Sequence, residues 1–69
     1  MKLQINGEKE QVDVDSITIT ELLKLKEVKM PDMVSVELNG DILDRDAFDT
    51  TNLKEDDEVE FLYFMGGGQ

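Results

Sequence analysis

The sequence predicts an α+β domain in which one helix crosses a mixed sheet of four to five strands. Three observations support this fold class. Four segments alternate polar and apolar residues with the period of a half-buried strand. Two Asn-Gly dipeptides mark tight turns, and one segment combines the start signal of a helix with helical apolar spacing. The predicted order of elements is β-β-α-β-β-β.

The first element is predicted to be a β-hairpin. Residues 2–5 and 11–14 both alternate in polarity, and Asn6-Gly7 between them suits the positive φ angles of a hairpin turn. The alternation directs four side chains towards the core, namely Leu3, Ile5, Val12 and Val14.

The helix is predicted to begin at Thr18. Thr18 and Glu21 have the spacing of a capping box, in which the two side chains accept hydrogen bonds from free backbone amides. The helix should run for two to three turns, with Leu25 and Val28 beside an inner face formed by Ile19, Leu22, Leu23 and Lys26. Lysines gather at its end, where the helix dipole favours cations, and Pro31 forbids its continuation.

Two further strands are predicted after Pro31. Residues 33–38 alternate in polarity, Asn39-Gly40 supplies a turn, and residues 42–43 form a short partner strand. Residues 44–57 are predicted to be a loop or a single-turn helix, anchored in the core by Phe48 and Leu53.

The last and strongest predicted strand covers residues 58–65. Its inner face, towards the helix, should consist of Val59, Phe61, Tyr63 and Met65. Because a helix between two strand pairs can act as a crossover, the first and last strands can lie side by side in parallel at the centre of the sheet. The folded domain would then span residues 1–65, followed by a flexible glycine tail of residues 66–69.

The composition excludes several classes of activity. A chain of 69 residues has room for one domain. It contains no cysteine and no histidine, which removes thiolate nucleophiles, disulfides, zinc–thiolate sites and the usual general base. The longest apolar run, residues 61–65, is too short to span a bilayer. The opening residues show no signal-peptide pattern, so we expect a cytoplasmic protein.

The net charge of −10 restricts the choice of partners. Nucleic acids and anionic membranes repel such a surface, so we expect neither as a partner. The charge suits a basic protein partner, although it would also serve simply to keep a small protein in solution.

Clustered carboxylates accompany the last strand. Hard cations favour such groups, but the spacing of Asp56, Asp57, Glu58 and Glu60 lacks the ordered loop of a calcium motif. Seventeen acidic residues in so short a chain also place carboxylates side by side by chance. We therefore predict neither a metal site nor a catalytic carboxylate pair.

Three consecutive glycines, Gly66, Gly67 and Gly68, follow the last strand. Extended, they reach about 10 Å beyond the sheet. Without any Cβ atom they suit a carboxyl end that threads a narrow channel into the active site of another enzyme. A frayed terminus is the alternative interpretation, but a strand that leads directly into the glycines favours the first.

The outer face of the last strand predicts a docking surface. Glu58 and Glu60 begin this face, which should be solvated, and it becomes apolar near the tail. An apolar patch beside the tail suits an enzyme that must bind the tail, and we assign docking to Leu62, Phe64 and Met65. The alternative is that the loop of residues 44–57 covers these side chains.

Four segments, spread over nearly the whole chain, match the pattern of a known family in order and spacing. They are the opening strand and turn (residues 1–7), the helix start (residues 18–23), the stretch of residues 36–45, and residues 57–61 followed by Gly66-Gly67. The chain resembles the ThiS/MoaD family of sulfur carriers, and most of all its ThiS type, associated with thiamine biosynthesis. The resemblance implies the β-grasp (ubiquitin-like) fold.

The resemblance further implies a carrier that is acted on by enzymes and is not itself an enzyme. An E1-like adenylating enzyme uses ATP and magnesium to adenylate the terminal glycine. Sulfur from a persulfide donor then displaces AMP and leaves a glycyl thiocarboxylate. Thiazole synthase accepts this sulfur from ThiS-type carriers. The carrier itself would bind no cofactor.

The chain departs from the family pattern at two positions. Gln69 follows the glycines, so adenylation requires its removal, which implies a processing protease. We expect cleavage after Gly68, with cleavage after Gly67 as the alternative. Asp56 stands where relatives usually have glycine in the turn before the last strand, and aspartate tolerates a left-handed backbone better than most residues.

Two other functions remain open from the sequence. The acceptor enzyme chooses the pathway, so the carrier could serve molybdopterin, cysteine or methionine synthesis, or act as a ubiquitin-like protein modifier. Alternatively, the chain is a non-catalytic β-grasp interaction module whose glycine tail is inert.

Overall fold

The computed structural model describes residues 1–63, in which one α-helix crosses a five-stranded mixed sheet. The strands are β1 (Lys2–Ile5), β2 (Glu8–Gln11), β3 (Val34–Leu38), β4 (Asp41–Ile42) and β5 (Glu58–Tyr63), and the helix is α1 (Ile19–Leu25). Single-turn 3₁₀ helices form at Pro31–Met33 and Arg45–Ala47. The predicted order β-β-α-β-β-β is confirmed. Within these residues, no helix has the length and apolar character needed to cross a membrane.

The last strand lies at the centre of the sheet. The strand order is β2-β1-β5-β3-β4. β5 runs parallel to β1, with Gln4 beside Glu58 and Ile5 beside Val59, and it runs antiparallel to β3. The predicted crossover is therefore confirmed, because α1 lies between the two strand pairs along the chain.

The core lies between α1 and the inner face of the sheet. The helix contributes Ile19, Leu22 and Leu23, all buried. The sheet and the loops contribute Leu3, Ile5, Val12, Ile17, Val34, Val36, Phe48, Leu53, Val59 and Phe61. Among residues 1–63 no polar or charged side chain is buried. The predicted anchors Phe48 and Leu53 are confirmed.

The hairpin starts its second strand earlier than the sequence predicted. Asn6 and Gly7 have φ angles of 51° and 85°, which suit a two-residue turn, so β2 begins at Glu8 immediately after it. The prediction of a strand at residues 11–14 was wrong in both bounds, because β2 ends at Gln11. Val12 is buried as expected, but Val14 lies beyond β2 and is 39% exposed, so its predicted inward orientation was wrong.

The buried part of the inner face of β5 is also shorter than predicted. Val59 and Phe61 are buried, whereas Tyr63 is 56% exposed. The register of β1 with β5 stops at Val59. Among residues 1–63, Tyr63 therefore has a neighbouring strand on the β3 side and none on the β1 side. Tyr63 therefore lies on the face predicted for it, opposite the buried Val34, but it is exposed for this reason. The prediction for Met65 lies outside the described residues.

The helix begins as predicted and, at seven residues, has the predicted length of about two turns. The Glu21 N–H donates to the Thr18 hydroxyl at 3.2 Å, and the Thr18 N–H donates to Glu21 Oε1 at 2.9 Å, which completes the capping box. The helix ends at Leu25, because Glu27 takes a left-handed φ of 58°. Leu25 is exposed, so the prediction that it packs beside the inner face was wrong.

The bond pattern at this end is that of a Schellman motif, with the Val28 N–H donating to the Leu23 carbonyl at 3.0 Å. The chain leaves the helix before Pro31, which is consistent with the prediction that the helix cannot continue through this proline. Val28 packs against the core, as predicted for a residue beside the inner face.

The segment between α1 and β5 follows the prediction more closely. Asn39 and Gly40 form a turn with φ angles of 53° and 92°. β4 is displaced by one residue, to Asp41–Ile42. Asp56 has a φ of 70°, so the left-handed conformation expected at this position is confirmed.

Both hairpin asparagines also bind the central strand. Asn6 Oδ1 accepts a hydrogen bond from the Phe61 N–H at 2.8 Å, and Asn39 Oδ1 accepts one from the Glu58 N–H at 2.9 Å. Asn6 acts where β1 has already ended, so its carboxamide supplies an acceptor that a longer strand would otherwise provide. These two side chains fix β5 from opposite edges.

Asn6→Gly should lower the free energy of unfolding by about 1 kcal/mol, because glycine keeps the turn but leaves the Phe61 N–H without its acceptor. Asn6→Asp retains an acceptor oxygen and should therefore lower the free energy of unfolding by less. Urea denaturation and amide hydrogen exchange measure the two effects. Equal stability of Asn6→Gly and the wild type, with unchanged protection of the Phe61 amide, would contradict this role.

Glu27→Gly should raise the free energy of unfolding by about 1 kcal/mol, because glycine accepts a left-handed backbone without the Cβ conflict. Glu27→Ala is the matched control, since it removes the same charge but keeps the Cβ. Urea denaturation of both variants decides between the causes. An equal gain in both would assign the effect to charge and not to the backbone.

Candidate docking site at the end of the central strand

The end of β5 is the point from which the glycine segment continues. Tyr63 is the last described residue. Of the predicted site residues, Leu62 is the one whose position the structure describes. The others, Phe64, Met65, Gly66, Gly67, Gly68 and Gln69, lie outside the described residues.

Leu62 lies on the outer face of the sheet, away from the helix. Its register partner is Ser35 on β3, and the neighbouring Phe61 points into the core. Leu62 is 40% exposed. The loop of residues 44–57 does not bury it, because that loop directs its apolar anchors, Phe48 and Leu53, into the core.

Two methionines that sequence reasoning missed stand beside the end of β5. Met33 directly precedes Val34, the register partner of Tyr63, and its N–H donates to the Met30 carbonyl at 2.8 Å. Met30 is 66% exposed and Met33 is 43% exposed. We use the name exit patch for the exposed side chains around the end of β5, namely Met30 and Met33, Leu62 on the outer face of the strand and Tyr63 on its inner face. One signal in the sequence could have identified them: both methionines lie close to Pro31, just before the strand that pairs antiparallel with β5.

Arg45 fixes the segment that carries these methionines. Its guanidinium donates to the Pro31 carbonyl at 2.9 Å and to the Val34 carbonyl at 2.7 Å, and it lies 5.3 Å from the centre of the Phe48 ring. β4 pairs with the other end of β3, so Arg45 supplies a donor where β4 is absent. Sequence reasoning assigned no role to this arginine beyond its place in the family pattern.

Carboxylates border the exit patch on the outer face. Glu60 lies two residues before Leu62 on the same face, and Glu37 is its direct register partner on β3. Glu58 continues the row towards the other end of β5. A partner surface that covers the exit patch would therefore meet negative charge at its border, which favours basic groups on that surface.

Of the remaining carboxylates in this cluster, Asp57 has local structural partners. Asp57 accepts hydrogen bonds from Asn39 Nδ2 at 3.1 Å and from the Lys54 N–H at 2.8 Å, so it closes the turn before β5. In the described part of the chain, no group of three or more acidic side chains is arranged to hold a metal ion. Asp57 is therefore explained by the backbone turn.

Comparison with known proteins agrees with this geometry. The model of the ThiS family matches residues 2–68. A crystal structure of the thiamine biosynthesis protein ThiS from Geobacter metallireducens is 52% identical, covers 99% of this chain and 100% of its own, and has a TM-score of 0.89. A solution structure of a thiamine biosynthesis protein from the same organism is 51% identical, covers 100% of this chain and 90% of its own, and has a TM-score of 0.83.

A longer protein contains a similar segment. A thiazole synthase from Magnetococcus marinus is 35% identical over the whole of this chain, which spans 21% of the length of that protein. The family match over residues 2–68 and the near-complete overlap with the Geobacter structures confirm the β-grasp fold. On these grounds the chain belongs to the ThiS family of ubiquitin-like sulfur carriers.

Proposed function

We propose that this chain carries sulfur in thiamine biosynthesis as a thiocarboxylate on Gly68. The observation that carries the proposal is the extent of the family match, which includes all three glycines and stops before Gln69. The names of the Geobacter relatives support the pathway. Because Gln69 follows Gly68 in the sequence, the bond between them has to be cut before Gly68 can be activated.

The chemistry is supplied by partner enzymes. In an E1-like enzyme the Gly68 carboxylate attacks the α-phosphorus of magnesium-bound ATP, which releases pyrophosphate and forms an acyl adenylate. A persulfide sulfur attacks the acyl carbon and displaces AMP. A thiol then reduces the resulting acyl disulfide and leaves the thiocarboxylate. The carrier contributes a carboxylate and the surface by which each enzyme recognises it.

The fold limits how far that carboxylate can reach. β5 is bonded on both edges up to Phe61, so Tyr63 is a defined point of departure. The five residues 64–68 span at most about 18 Å when fully extended. The reaction centre of any enzyme that uses Gly68 must therefore lie within this distance of Tyr63, which brings its surface against the exit patch.

Thiazole synthase is the sulfur acceptor that the comparisons favour. A protein of that name includes a segment similar to the whole of this chain. Two partners that act in sequence gain effective concentration when they are joined, so this arrangement supports a partnership between carrier and synthase. The acceptors of molybdopterin, cysteine and methionine synthesis, and protein modification, have no comparable observation in their favour.

A variant that ends at Gly68 should be adenylated by the purified activating enzyme without further processing, because its terminal carboxylate is the reactive group. The full chain should react only after Gln69 is removed. A variant that ends at Gly67 tests the alternative cleavage position. ATP–pyrophosphate exchange and intact mass, read for the replacement of oxygen by sulfur, follow the two steps.

An activating enzyme that is active on another carrier but leaves all three chains unchanged would contradict the proposal. That outcome would favour a β-grasp interaction module with an inert tail. Activation of the Gly67 variant alone would keep the carrier function and move the thiocarboxylate to Gly67.

Leu62→Glu should abolish activation of the Gly68-terminated chain without unfolding it, because the charge falls within the exit patch at an exposed position. The free energy of unfolding should change by less than about 1 kcal/mol. Phe64→Glu should lose activation in the same way. Ile42→Glu is the matched control: Ile42 is exposed and lies opposite Glu37, at the far edge of the sheet.

Steady-state activation rates and urea denaturation check this prediction. Full activation of Leu62→Glu would show that the activating enzyme does not recognise the exit patch. Equal loss in Leu62→Glu and Ile42→Glu would assign the effect to net charge instead of position.

A further inference from the structure

We propose that the enzyme that adenylates the tail adds a strand of its own to the free edge of β5 at residues 61–63. This inference rests on the proposed function, because it names the way in which the activating enzyme grips the segment that leads to the glycines. The occupant is an extended segment of that enzyme, hydrogen-bonded through its main chain.

The free edge arises because β1 is shorter than β5. Their register ends with Ile5 beside Val59, whereas β5 continues to Tyr63. On the other side, β3 pairs with β5 all the way to Tyr63. Beyond Asn6, therefore, no strand within residues 1–63 lies along the β1 side of β5.

Hydrogen-bonding groups of β5 point towards this open side. The Asn6 N–H donates to the Val59 carbonyl at 2.9 Å, and the Phe61 N–H donates to Asn6 Oδ1 at 2.8 Å. Backbone groups of alternate residues in a strand face the same edge, so the Phe61 carbonyl and the Tyr63 N–H also face the β1 side. These two groups are available to an incoming strand.

The composition of the tail makes main-chain recognition necessary. Gly66, Gly67 and Gly68 offer an enzyme no side chain to bind, so backbone N–H and C=O groups are their distinguishing contacts. A strand added at residues 61–63 would continue the same ladder towards those glycines. The exposed side chains of Leu62 and Tyr63 lie on opposite faces of β5 and would supply side-chain contacts on each side of the added strand.

The two outer edges of the sheet are less suitable for strand addition. The edge strand β2 has the sequence Glu-Lys-Glu-Gln, and charged side chains discourage edge pairing. β4, at the opposite edge, consists of two residues. The edge at residues 61–63 instead carries apolar side chains and leads into the tail.

The test compares three variants of the Gly68-terminated chain with its wild-type form. Tyr63→Pro removes the N–H that faces the open edge, a position where proline is compatible with a strand. Tyr63→Ala removes the ring but keeps the N–H. Lys9→Pro is the matched control, because Lys9 opposes Gln4 on β2 and its N–H faces the outer edge, away from the tail.

Tyr63→Pro should lower the kcat/KM for adenylation by about tenfold or more, since the enzyme's acceptor group is left unpaired. Tyr63→Ala should lower this kcat/KM clearly less, and Lys9→Pro should keep the wild-type value. A folded Tyr63→Pro that is activated as well as Tyr63→Ala would overturn the inference. Absence of adenylation in the wild-type chain would instead contradict the proposed function, so the two failures are distinguishable.

Amide hydrogen exchange of the unmodified Gly68-terminated chain decides the matter if Tyr63→Pro does not fold. The Tyr63 N–H should exchange at least about tenfold more slowly in the complex with the activating enzyme and ATP, as expected for a group that gains a hydrogen bond. Unchanged exchange of the Tyr63 N–H in a saturated complex would overturn strand addition, whatever the proline variant does.

Discussion

The central position of β5 is the constraint on which the rest of this structure depends. A last strand can lie in parallel beside the first only if the chain crosses over the sheet between them, and α1 provides that crossing. The two hairpin asparagines then complete the ladder, Asn6 at Phe61 and Asn39 at Glu58. The strand that leads to the glycines is thus hydrogen-bonded on both edges as far as Phe61.

A small, purely apolar core supports this arrangement in a chain that contains no cysteine. The buried side chains of residues 1–63 are all apolar, so folding leaves no buried charge to compensate. Local devices contribute at the borders of the core. The capping box at Thr18, the left-handed Glu27 and the guanidinium of Arg45 each satisfy backbone groups where a helix or strand ends.

The same arrangement separates stability from function. The helix side of the sheet packs into the core, whereas the exit patch and the carboxylates beside it lie at the surface. If the chain meets successive enzymes, as proposed, such a surface is an advantage, because methionine side chains adapt to differently shaped partners. Met30 and Met33 are suited to that use, and Arg45 holds the 3₁₀ helix that carries Met33.

Local chemistry was sufficient to predict much of this protein. The Asn-Gly turns, the capping box and the left-handed Asp56 depend on neighbouring residues, and each is present in the structure. The class of fold and the family followed from the order of these signals along the chain. Leu62 was also placed correctly on an exposed outer face, because alternation along a strand is a local property.

Features that depend on the relative lengths of neighbouring strands required the tertiary structure. Tyr63 continues the alternation of Val59 and Phe61, yet it is exposed because β1 stops short of it. The free edge at residues 61–63 has the same origin. Met30 and Met33 join the exit patch because β3 is antiparallel to β5, a pairing between segments distant in sequence. Periodicity describes a single strand, whereas exposure depends on which strands lie beside it.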